Sequence, residues 1–159
     1  MPLSTSASSR LQHQHTTIRE LIAGLSEHDL KRVVQPDKWS AFDNIAHLAS
    51  YQPMFLTRLE RIQAEESPTF ERYVADGDPL FSDYRDLPLA ELLSGIDARR
   101  AVILSKLQGM GEDGLRRVAY HKRYGMLDVR QWTEFFLLHE AHHLYTIFML
   151  VQELRKGLR

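Results

Sequence analysis

The sequence contains no cysteine among its 159 residues, so no disulfide can staple it, and any metal site must draw mainly on nitrogen and oxygen donors. Charge of one sign is also missing. Twenty Lys and Arg stand against 21 Asp and Glu, and the net charge of −1 provides no global field to attract nucleic acid or an anionic membrane. The longest apolar stretch, EFFLLHEAHHLYTIFMLV, is interrupted by His, Glu, Tyr and Thr and makes a poor membrane span. The N-terminal MPLSTSASSRLQ has no apolar core of signal-peptide length. Strand patterns are scarce and there is no internal repeat. What remains is the expectation of one soluble, cytoplasmic domain over residues 1–159, long enough to bury a core without staples.

Helical periodicity dominates. A first helix is expected from about Ser9 to Leu25, with SEHD as the turn after it. A second begins near Ser40, whose side chain suits an N-cap with Asp43 three residues on, and it contains Pro53, where a kink is expected. A third runs from about Pro88 to Gln108, with Gly109 and Gly111 beyond its end. After short extended segments and a turn at Gly125, Asp128 caps a fourth that runs to about Lys156. The second and third are separated by SPTFERYVADGDPLFSDYRDLP, a long connection rich in proline and aromatic residues. Four long helices imply an all-α protein, a four-helix bundle. The long connection implies a crossover between two parallel neighbours rather than simple up-and-down wiring.

The motif HEAHH, residues 139–143, lies in that apolar fourth helix. Residues four apart on a helix differ by about 40°, so His139 and His143 share the row Phe135, His139, His143, Ile147, Val151. Two imidazoles at this spacing can reach one cation at about 2.0–2.1 Å each. Burying them in a row without an acid is costly unless something satisfies their nitrogens. A third ligand has to come from elsewhere, and His47, mid-helix in FDNIAHLASY, is the best placed. His13, His15 and His28 fall in a polar, exposed-looking region, and His121 stands among Lys122 and Arg123, a cationic setting that disfavours a metal. His142 is turned about 100° from His143. The plainer alternative makes His139 and His143 ordinary core histidines bonded to carboxylates or carbonyls.

KWSAFDNIAHLASY, followed much later by YGMLDVRQWTEFFLLHEAHHLYTI, resembles the DinB/YfiT-like superfamily of bacterial metal-binding bundles. Trp39, Ser40, Asp43 and His47 match the first half of the family pattern, and Gly125, Asp128, His139 and His143 match the second. Leu144, Tyr145 and Thr146 stand where the family often has Arg-Gly-Gln. The resemblance implies an up-down-down-up bundle, often a homodimer, with His47, His139 and His143 holding a divalent ion such as zinc or nickel. It further implies a small-molecule substrate, a low-molecular-weight thiol among the options.

HEAHH also satisfies His-Glu-x-x-His, in which Glu140 would be the general base of a zinc protease. That reading needs a third ligand placed by a protease fold and a peptide cleft that a small bundle does not offer. The leading expectation is therefore a metal-dependent thiol S-transferase or hydrolase, with Asp43 and Glu140 as candidates for orienting the ligands. A non-catalytic metal- or ligand-binding stress protein is the alternative. The basic group Arg116, Arg117, Lys122 and Arg123 reads as a solvated face, or secondarily as an anion clamp near the pocket mouth.

Overall fold

A computed structural model describes residues 3–157; the first two residues of the Ser/Thr-rich N-terminus and the last two of the chain lie outside that range. The elements in chain order are α1 (Thr5–His13), a 3-10 turn (Gln14–Thr16), α2 (Thr17–Ile22), α3 (Glu27–Leu30), α4 (Ala41–Ala64), β1 (Thr69–Phe70), α5 (Pro79–Arg85), α6 (Leu89–Gly109), α7 (Glu112–Arg116), β2 (Val118–His121), β3 (Gly125–Asp128) and α8 (Val129–Lys156). The bundle consists of α1–α2, α4, α6 and α8.

Helix directions follow from which residues meet. Arg10 pairs with Glu134, Gln14 donates to Leu137 O, and Arg155 donates to Leu21 O, so α1–α2 and α8 run parallel. Asn44 meets His143 and His47 meets His139, so α4 and α8 are antiparallel. Arg100 donates to Gln52 and Lys106 pairs with Glu60, so α4 and α6 are parallel. The order is up-down-down-up, and the long connection carries the chain back along the bundle between two parallel helices.

That connection is partly ordered. β1 adds parallel to β2, with Phe70 opposite His121, and β2 pairs antiparallel with β3 through a turn at Gly125, whose φ of 77° suits glycine. Asp78 caps α5, which packs on α4. The first bundle helix starts at Thr5 rather than Ser9 because Ser4 accepts a bond from Ala7 N, and it is broken at the 3-10 turn. The SEHD turn is a single capped helical turn, α3. α4 is continuous across Pro53. Among the described residues no helix is long and apolar enough to cross a membrane.

The core falls into two apolar clusters. One gathers Ile45, Leu48, Ile147 and Val151 with α2, α5 and the start of α6; the other gathers Tyr51, Phe55, Ile103, Trp132 and Phe136 with α1. Between them lies a layer of buried polar groups: His47, Gln52, Arg100 and Glu140. Interrupting a core this way is costly unless each group is satisfied, which makes this layer the place to look for function.

Candidate metal centre

His47 from α4 and His139 from α8 bring their Nε2 atoms to 3.0 Å. With His143, one ring nitrogen from each residue lies within 4.8 Å of the others. Nitrogens bonded at about 2.1 Å to one tetrahedral ion lie about 3.4 Å apart, so the set needs closure of no more than about an ångström and a half. The spacing in α8 and the separate contribution from α4 bring together all three residues expected from the sequence.

Local structure holds the rings. Ser40 and Asp43 form a full capping box at the start of α4, with Ser40 Oγ accepting from Asp43 N and Asp43 Oδ2 accepting from Ser40 N at 2.9 Å. Asn44 donates Nδ2 to Ser40 O at 2.9 Å, which turns its Oδ1 toward His143 Nδ1 at 2.8 Å. His143 therefore carries its hydrogen on Nδ1, leaving the Nε2 lone pair free for a cation. The Tyr51 ring stacks on His139 at 4.0 Å, and Tyr73 and Phe81 from the connection flank His47. Trp39 contacts both His47 and His143.

Burial pushes all three imidazoles down: His139 to about 2 and His143 to about 3, each lowered further by neighbouring histidines, and His47 to about 4, with Asp76 and Asp78 partly offsetting the effect. The rings are thus neutral at pH 7, the form that ligates a metal. Among the described residues the Nδ1 atoms of His47 and His139 have no hydrogen-bond partner, and no carboxylate bonds either ring. His139 is therefore not a satisfied core histidine, whereas His143 meets the Asn44 carbonyl oxygen. Neutral, convergent nitrogen donors largely withdrawn from solvent suit a divalent ion of borderline softness.

Two expected roles are corrected. Asp43 does not orient His47: its oxygens are taken by the capping box and by Arg85 Nε at 2.7 Å, which fastens α5 to α4. Glu140 is neither a general base nor a surface group. It is 1 % exposed and paired with Arg100, with Gln14 Nε2 donating to its other oxygen at 2.9 Å. One position along α8 from His139, it is turned toward α1 and α6, which removes the base that a zinc-protease reading requires. His15, expected to be exposed, is buried, with Nε2 3.5 Å from Asp97. His142 is exposed at the rim, 5.2 Å from the His143 ring.

Asn44 was missed from the sequence; its only local signal is its place three residues before His47. Replacing it with alanine should weaken zinc affinity about 10–100-fold, measured by competition with a chelator, whereas Asn44→Asp keeps the acceptor and should lose less. Unchanged affinity in Asn44→Ala would mean that the carbonyl does not set the His143 tautomer.

Residues 10–147 match the profile of the DinB superfamily. The chain belongs to the DinB superfamily. No curated protein matches the sequence. Among solved structures the DinB bundle described here is similar to that of YfiT from Bacillus subtilis, described as "a probable metal-dependent hydrolase with an unusual four-helix bundle topology". The two share 16 % identity at a TM-score of 0.81, over 96 % of this chain and 86 % of the other. At that identity the likeness is one of fold, and the DinB site of this chain rests on its own residues.

Proposed function

We propose that the protein is a metal-dependent enzyme in which His47, His139 and His143 hold one divalent ion, zinc or nickel, and act on a low-molecular-weight thiol or on water as an S-transferase or hydrolase. The observation that carries this reading is the convergence of three neutral imidazoles, one buried and two half-buried, from two helices beside a cavity. Such an ion, held by neutral ligands and keeping an open position, favours ionisation of a bound thiol or water near neutral pH. The chain's own residues keep the three rings unprotonated, fix the His143 tautomer through Asn44, and limit water with Trp39, Tyr51, Tyr73 and Phe81.

Metal content of the purified protein tests the site. The parent should hold close to one equivalent and the variant His47→Ala/His139→Ala/His143→Ala none, with turnover of a thiol plus an electrophile, or of an ester, lost on chelation and in His143→Ala. Unchanged metal content in the triple variant would remove the site.

A second reading, a non-catalytic metal-binding dimer, draws on two observations. No carboxylate lines the cavity beside His139. The outer face of α8 also exposes Leu138, Tyr145, Phe148 and Met149, an apolar stripe suited to a homodimer. Metal binding without metal-dependent turnover across thiol and ester panels would favour it.

A further inference from the structure

Two arginines are buried among the described residues, and they are treated differently. Arg100, 1 % exposed, has Glu140 as its counter-ion. Arg58, 8 % exposed, has no carboxylate partner among the described residues. Its guanidinium lies near the rings of Phe70 and Trp132, at 5.4 and 5.3 Å. It donates to Glu71 O at 3.3 Å and makes a long contact of 3.5 Å to Tyr51 Oη. An arginine stays charged inside a protein, and a buried charge is normally paired.

Arg58 lines a cavity of about 120 Å³ together with Arg72, Arg123, His121 and the candidate ligand His139. That volume is well above the minimum of about 10–15 Å³ that a single water requires. The cavity is strongly one-sided in charge, with three arginines and no carboxylate lining it. Arg72 and Arg123 make no ion pair among the described residues, although Arg123 lies 5.4 Å over the Tyr124 ring. His121 adds a neutral donor. Its Nδ1 accepts from the backbone N–H of Arg123 and Tyr124, at 3.1 and 3.2 Å, so its hydrogen sits on Nε2.

The other members of the basic group seen in the sequence do not share this role. Arg116 pairs with Glu112, Arg117 donates to the carbonyls of Ile62 and Glu65, and Lys122 pairs with Glu71. Only Arg123 of that group lines the cavity, and it is joined there by Arg58 from α4 and Arg72 from the connection, brought together by the small sheet.

We infer that this cavity is an anion subsite: the substrate carries a carboxylate or phosphate-type group that docks on Arg58, Arg72 and Arg123 and so presents its reacting end to His47, His139 and His143. The substrate-side half of this inference rests on the reading of those histidines as the reacting centre; the anion subsite itself does not. A planar guanidinium fork matches such oxyanions, and a ligand's charge would supply the partner that Arg58 lacks.

The test is equilibrium binding of small probes to metal-free protein by calorimetry, so that no anion binds through an ion. Benzoate and phenylphosphonate carry the two candidate anions, and benzamide is a neutral match for benzoate in shape. At least one anion should bind about tenfold or more tightly than benzamide. That preference should collapse in Arg58→Gln and, should that variant fold poorly, in the surface pair Arg72→Gln/Arg123→Gln. Whichever anion binds better identifies the group. Equal affinity for benzoate and benzamide without a gain for phenylphosphonate, no measurable binding of either anion, or a preference kept in the arginine variants would overturn the inference. The variant His47→Ala/His143→Ala, which leaves the cavity lining intact, separates the two claims: it should keep anion preference while losing metal, and a failure of metal binding in the parent leaves the anion result standing by itself.

Discussion

Glu140→Ala should lose about 3–5 kcal/mol of stability, because it strands the buried Arg100 guanidinium without its counter-ion. What would remain to Arg100 is weak: Gln52 Oε1 at 3.4 Å, the Leu11 carbonyl at 3.3 Å and the Phe136 ring at 4.9 Å. The double replacement Arg100→Met/Glu140→Leu removes both charges and should recover much of the loss, since a buried pair exchanged for apolar groups of similar volume is often neutral. Urea unfolding measures the energies, and metal content should stay at the parent value in every variant. A loss of less than about 1 kcal/mol in Glu140→Ala would put the pair in the class of surface salt bridges and contradict its burial. A protein that kept its stability but lost all turnover would instead restore Glu140 as a general base.

The second large effect is acid lability of the metal-free protein. Above about pH 6.5 the site histidines are neutral in both folded and unfolded chains, and pH has little leverage through them. Below it the unfolded chain takes up protons that the folded one refuses, until pH reaches about 4 for His47, about 3 for His143 and about 2 for His139. Stability therefore falls as pH falls, with a limiting slope of about 1.4 kcal/mol per pH unit for each ring. Between about pH 6.5 and 5 the three together amount to a few kcal/mol, before most carboxylates titrate. His15, lowered to about 4 by burial, adds a further share. Urea unfolding at both ends of that window should show the drop, and a variant with all three site histidines replaced by glutamine should show a much shallower one. Equal slopes for parent and variant would mean that the rings are not held neutral by the fold.

These expectations rest on features that differ in how far sequence reveals them. The boundaries of α8 are legible because Asp128 caps one end and basic residues and Gly157 mark the other, all within a turn of the helix. The His139–His143 pair is legible because its geometry is fixed by helical pitch alone. The crossover wiring follows from the length of the connection, although β1 and α5 within it depend on partners far along the chain. The pairs Asn44 with His143 and Arg100 with Glu140 are separated by 99 and 40 residues, and nothing local distinguishes them from ordinary helix-surface residues. Arg58 is hidden for the same reason. Its burial is set by Phe70 and Trp132, which arrive from other elements. His15 was misread because its neighbours His13 and Thr16 are exposed, while the 3-10 turn rotates its own side chain inward.

The most direct measurement is an anomalous-scattering map from crystals soaked in zinc. A single strong peak should lie about 2.1 Å from one ring nitrogen each of His47, His139 and His143, with the Asn44–His143 bond intact. A map with no peak among these rings, or with zinc bound only at surface carboxylates or at His142, would contradict the three-histidine centre.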